Sequence, residues 1–256
     1  MKLLSGKDIT VEIRGKRVVD HVSFSLDSGA WLMIAGPNGA GKTTLVNALI
    51  GGVPCTGEVL YRGEDLRKLS AKQRAKEIGM LSQTHHIDYA FRVHEVVRLG
   101  RYAYRGSFLS ADGRDKDGAE MVEKALRLTG LDGIASQSVL TLSGGEMQRM
   151  FLAQLFAQDP KVLILDEPMN HLDLVYQRQL LSLIQEWLKE EGRAVISVMH
   201  DLSIARAFGT GILLMRDGKC VAQGEINEVF SPETLRKTYD TDVHDWMRQM
   251  LSQWET

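Results

Sequence analysis

The sequence predicts an α/β fold with a small antiparallel β layer near the N-terminus and an inserted α-helical subdomain. Three observations carry that prediction. Short apolar runs alternate with helical stretches over residues 31–81, and again over 158–224. Between them, from about residue 84 to 157, strand signals vanish and helical spacing takes over. Ahead of both, two runs alternate apolar and polar residues with period two, as half-buried strands do.

Those two runs carry Ile9, Val11 and Ile13, then Val22, Phe24 and Leu26. WLMIA at 31–35 is continuously apolar, as a central strand is, and LVNALI beyond it reads as helix until Gly51-Gly52. EVLYRG at 58–63 is another strand, Ser70 caps a short helix through Lys76, and IGML follows as a strand. VHEVVRLGRYAY and AEMVEKALRLTG read as helices joined by an irregular Gly/Ser/Asp stretch. A further helix from Gly144 to Ala157 stops at Asp159-Pro160, because proline disfavours helix in the residue before it. VLIL at 162–165 and AVISVM at 194–199 read as buried strands around a helix over 174–191. GILLM at 211–215 and KCVAQG at 219–224 flank Asp217-Gly218, a hairpin turn dipeptide. Asp242 caps a last amphipathic helix in which Val243, Trp246, Met247, Met250, Leu251 and Trp254 recur at helical spacing. That helix reads as packing on its own domain, with partner binding as the alternative.

The expected organisation is one domain over 1–256. It comprises an N-terminal β layer and core in 1–83, the helical subdomain in 84–157, the remaining α/β core in 158–240 and the C-terminal helix in 241–256. A net charge of −2 gives no bulk attraction to nucleic acid, and no nucleic-acid partner is expected. Cys55 and Cys220 have no metal-site spacing and read as free thiols. The start turns polar too soon for a signal peptide, and no run reaches the roughly 18 apolar residues of a membrane span.

Gly36-Pro37-Asn38-Gly39-Ala40-Gly41-Lys42-Thr43 matches the pattern G-x-x-x-x-G-K-S/T, with a strand before it and a helix after it. Glycines let backbone N–H groups close on phosphate oxygens, and the helix start adds unpaired donors. Lys42 supplies a point charge for the β and γ phosphates of ATP. Thr43 supplies a hydroxyl for Mg²⁺, with Thr44 beside it. VLILDE at 162–167 then delivers two carboxylates at the end of an apolar strand, the edge where open α/β sheets bind ligands. Asp166 suits Mg²⁺, and Glu167 suits a general base that polarises the attacking water.

Leu142-Ser143-Gly144-Gly145-Glu146 before a helix, and Asn170-His171-Leu172-Asp173 after the acidic pair, complete a set of motifs in a specific order. With the phosphate loop and VLILDEP, the chain resembles the nucleotide-binding subunit of an ATP-binding cassette (ABC) transporter, over nearly its whole length. The resemblance implies a P-loop NTPase core of the ABC type and hydrolysis of ATP with Mg²⁺. Gln83 matches the glutamine that senses Mg²⁺ and water. Ser143, Gly144 and Gly145 match the signature that completes the site of a second copy in a head-to-tail nucleotide-sandwich dimer. Asp173 lies in the loop that links the two sites, and His200 matches the switch histidine at the γ-phosphate. The implied partners are two transmembrane permease subunits and, through them, an extracytoplasmic substrate-binding protein. The implied location is peripheral, at the cytoplasmic face of the inner membrane.

Some positions depart from the family pattern. No aromatic stands in Val11–Arg17, where the family stacks adenine; Arg14 or Arg17 could stack instead, or Ile13 or Val18 could pack on the base. Met169 stands where threonine is common, and Thr43 where serine is common. FRVHEVVRLGRYAYRG at 91–106 resembles importers of iron chelates, haem and cobalamin. His85, His86 and Asp88 read as solvated or interface residues rather than a metal site. The alternatives are a soluble ATPase of an iron–sulfur cluster assembly complex and another kind of ABC transporter subunit.

Overall fold

The computed structural model describes residues 1–82, 87, 89–104, 115, 117–170 and 172–254. In chain order the elements begin β1 Lys2–Ile13, β2 Lys16–Asp27, β3 Trp31–Ala35, α1 Lys42–Leu49, β4 Thr56–Tyr61 and β5 Glu64–Asp65. Next come α2 Ala71–Glu77, β6 Ile78–Leu81, α3 Val93–Leu99, α4 Gly118–Leu128 and α5 Gly144–Gln158. They continue with β7 Val162–Asp166, α6 Leu174–Leu188, β8 Ala194–Val198, α7 Leu202–Phe208, β9 Gly211–Arg216 and β10 Lys219–Glu225. The chain closes with α8 Ile226–Val229, α9 Pro232–Tyr239 and α10 Val243–Ser252. It forms two compact units: Met1–Asp65 with Ile196–Thr256, and Leu66–Val195.

The first unit holds an antiparallel sheet in the order β2-β1-β4-β5. Ile9 and Val11 are buried as their alternation predicts, but Ile13 is 43% exposed because β1 ends there. Arg14 and Gly15 turn the chain into β2 with positive φ at both positions. β1 begins at Lys2, earlier than expected, because Leu3 and Leu4 are both buried and register shifts break the period-two pattern. In the same unit the strands run β10-β9-β3, with β3 parallel to β9 and β10 antiparallel to it. Every residue of β3 is buried, and Trp31 Nε1 donates to Ser197 Oγ of β8 at 2.8 Å.

In the second unit β6 pairs in parallel with β7, Ile78 facing Val162 and Leu81 facing Leu165. α3, α4 and α5 pack on one another, the helical subdomain that the sequence predicts. Buried Arg101 stitches it: its guanidinium donates to Asp115 and to the Ala157 carbonyl, so the cation is fully partnered. Phe156 of α5 stacks on Trp187 of α6 with centroids 6.2 Å apart. Neither Cys55 nor Cys220 is in a disulfide, and burial pushes the Cys220 thiol up.

α10 forms where predicted, with Asp242 accepting from Asp245 N at 3.0 Å. None of its residues is fully buried, so the expectation of a helix packed down on its domain holds only along one edge. Val243, His244 and Met247 line a groove with Leu202 and Phe230, while Trp246 and Trp254 stand exposed.

Candidate nucleotide site

In the first unit the phosphate loop leaves the buried strand β3 and enters α1 at Lys42. Gly36 takes φ +149°, and a Cβ there would lie 2.0 Å from the Met215 carbonyl oxygen, so only glycine fits between β3 and β9. The register explains the contact, since Ala35 faces Leu214 one residue earlier. Lys42 is 5% exposed. Its ammonium donates to the Gly36 carbonyl at 2.8 Å and the Pro37 carbonyl at 3.0 Å, so it lies over the loop it serves. Asn38, Gly39 and Thr43 are exposed, Pro37 and Thr44 are half-buried, and Ala40 and Gly41 are buried.

His200 is exposed in the same unit, directly after Met199, whose N–H donates to the Ile34 carbonyl at 3.0 Å. That bond ties the end of β8 to β3 just before the phosphate loop. The neighbouring Asp201, not His200, caps α7, accepting from Ser203 N at 2.8 Å and Ile204 N at 3.1 Å. Asp20 meets three bases here: His21 at 2.9 Å, Arg17 at 3.2 Å and Lys219 at 3.5 Å. The His21 hydrogen bond, then the charges of Arg17 and Lys219, hold its carboxyl below the usual range. Arg17 is thereby engaged, while Ile13 and Arg14 sit at the exposed hairpin end.

In the second unit Asp166 ends the fully buried strand β7 and is 1% exposed. Glu167 follows at φ +51°, a left-handed conformation that costs a non-glycine residue about 1 kcal/mol or more. The turn that imposes it is held by the Glu167 carbonyl, which accepts from Asn170 N at 3.2 Å, and by the Asn170 amide, which donates to the Glu167 carboxylate. Gln148 of α5 donates to the Pro168 carbonyl at 2.9 Å, so the acidic turn and the signature helix are joined. The turn, the Asn170 contact and Gln148 were not readable as site features, because each depends on backbone placement rather than residue pattern.

The signature residues start α5. Ser143 and Gly144 are exposed, and Gly145 is buried against the Tyr176 ring of α6. Ser143 Oγ donates to Glu146 at 2.7 Å and accepts from Glu146 N at 3.3 Å, while Glu146 accepts from Ser143 N at 2.8 Å. This capping box leaves Gly144 at the helix start open to solvent and draws the Glu146 carboxyl below the usual range. Asp173 is exposed and caps α6, accepting from Tyr176 N at 3.0 Å. Gln83, His85, His86 and Asp88 lie outside the described residues.

Among the described residues, the exposed Thr43 hydroxyl and, separately, the strand-end Asp166 carboxylate are each oxygen donors of the kind that Mg²⁺ takes.

Residues 19–170 match the family model described as ABC transporter. This chain belongs to the ABC transporter family. It is 37% identical to the hemin import ATP-binding protein HmuV of Pseudomonas fluorescens, over 94% of each chain. It is 35% identical to the ferric enterobactin transport ATP-binding protein FepC of Escherichia coli, over 92% of this chain and 86% of FepC. It is 37% identical to the uncharacterized ABC transporter ATP-binding protein YvrA of Bacillus subtilis, over 89% of this chain, but spans about half of YvrA, 51%. The fold matches that of an ATP-binding cassette of an ABC transporter in its ADP conformation, with a TM-score of 0.80 at 23% identity, over 92% of this chain and 98% of the other. The ABC fold expected from the motifs is therefore the fold this chain has.

Proposed function

We propose that this chain is the ATP-hydrolysing subunit of an importer for an iron chelate, haem or cobalamin. The phosphate loop carries the reading: a glycine that only glycine can replace, a buried lysine folded over the loop, and a helix start beyond them. Backbone N–H groups and Lys42 hold the nucleotide phosphates. Asp166, Gln83 and Thr43 would hold Mg²⁺, which would supply positive charge to offset that of the nucleotide phosphates. Glu167 takes a proton from the attacking water, and His200 steadies the γ-phosphate. The Asn170 amide that donates to the Glu167 carboxylate holds that group, which suits a base that must meet one water in one orientation.

Ser143, Gly144 and Gly145 complete the site of a second copy, and Asp173 links the two sites. ATP favours the closed pair, hydrolysis reopens it, and two membrane-spanning permease subunits receive that motion. No helix among the described residues is long and apolar enough to cross a membrane, so the proposed seat is peripheral, on the cytoplasmic face. The names of HmuV and FepC support hemin or an iron chelate as cargo.

The test is Glu167→Gln. Phosphate release should fall by about 100-fold or more while ATP still gathers the variant into dimers. Recovered from native membranes in mild detergent with ATP, it should bring a multispanning permease with it. Normal phosphate release would remove the general base, and soluble cluster-assembly proteins in place of a permease would remove the importer.

A further inference from the structure

The turn that carries Glu167 is held at its ends and at its middle. At the ends, the Glu167 carbonyl accepts from Asn170 N at 3.2 Å, and the Asn170 amide donates to the Glu167 carboxylate. Just beyond, the Met169 carbonyl accepts from Leu172 N at 3.2 Å. The Pro168 carbonyl takes part in none of these bonds, although Pro168 is buried, and a buried carbonyl needs a donor. Gln148 of α5 supplies one, its side-chain amide donating at 2.9 Å. The helix that presents Gln148 is itself anchored. The Arg149 guanidinium lies over the Tyr176 ring of α6, 5.2 Å from its centroid, and donates to Gln179 at 3.1 Å. One turn earlier, Gly145 packs so close to the same ring that a Cβ would lie 2.8 Å from it.

Pro168 lies between Glu167 and Asn170, the two residues whose side chains bond. Holding the peptide that follows Pro168 holds the stretch of chain that sets their separation. We propose that Gln148 is a positioning residue for the Glu167 carboxylate, acting through the Pro168 carbonyl and the Asn170 amide. The inference rests on the reading of Glu167 as general base. Without the Gln148 donor the Pro168 peptide is free to turn, and the carboxylate loses its line to the water. Such a displacement lowers turnover and leaves the grip on the nucleotide as it was.

Gln148→Met keeps the length of the side chain and removes its donor. In the full chain assembled with the permease, its kcat for Mg·ATP should fall about 10- to 100-fold, while Mg·ADP affinity, read by calorimetry, stays at the wild-type value. Gln148→Glu, which cannot donate when ionised, should lose kcat in the same way, and it serves where the methionine variant does not fold. Added to Glu167→Gln, Gln148→Met should take nothing further from the residual turnover, because no base remains to be positioned. Wild-type kcat in these Gln148 variants would overturn the proposal. So would weaker Mg·ADP binding, or a further loss on the Glu167→Gln background, either of which would place the effect at the phosphates or at the signature residues. Normal turnover by Glu167→Gln alone would remove the general-base reading instead.

Discussion

The Ser143 hydroxyl serves its own helix, donating to Glu146 and accepting from its N–H. A simple truncation therefore tests two things together. Ser143→Ala should lower stability by about 1 kcal/mol through the lost cap, as well as impair hydrolysis. Ser143→Asn keeps a capping side chain, so its unfolding midpoint should stay near wild type while hydrolysis in the assembled transporter still falls. Recovery of both would make Ser143 a cap and nothing more. The same box predicts a pH dependence. The folded protein holds the Glu146 carboxyl below its ordinary value of 4.5, so it binds fewer protons there than the unfolded chain. The resulting stability is present above pH 4.5 and is lost as pH falls through the lowered folded value. Acid unfolding curves of wild type and Glu146→Gln should converge as that window is crossed. The Ser-x-x-Glu spacing was legible in the sequence; the left-handed backbone of Glu167 was not, because it is set by the turn that follows it.

At the scale of elements, the phosphate loop is held from behind by the β9–β10 turn. Gly218 donates to the Ala40 carbonyl at 3.2 Å and accepts from Asp20 N at 2.8 Å. Its φ is +79°, and a Cβ would lie 2.7 Å from the Val18 carbonyl oxygen. Gly218→Ala should cost about 1–3 kcal/mol in urea unfolding and also weaken Mg·ADP binding, although Gly218 lies in no nucleotide motif. Reduced stability with unchanged affinity would make the turn a local support only. The Asp217-Gly218 pair announced this hairpin in the sequence, as the apolar runs announced β3, β7, β8 and β9. α7 and α9 escaped notice because seven or eight residues give too few turns for a helical period to emerge. Their caps, Asp201 for one and Ser231 with Pro232 at the first turn for the other, were the available signals.

For the whole molecule, the central claim is a site completed by a second copy. Gly144 offers a way to break that completion without breaking the fold: it is exposed, and a Cβ there would meet nothing within 4 Å. An acidic residue in the first turn of α5 suits the helix but repels a phosphate. On that claim each subunit has two separable halves, the loop proposed to bind nucleotide and the signature proposed to serve its partner. The most direct measurement is Mg·ATP hydrolysis by Lys42→Ala, by Gly144→Asp, and by an equal mixture of the two, each assembled with the permease. Each variant alone should be inactive, since every site in either dimer lacks one half. The mixture should regain activity, about a quarter of wild type if pairing is random and sites act independently, because each mixed dimer restores one complete site. A mixture as inactive as its parents, beside an active wild type, would contradict the shared site.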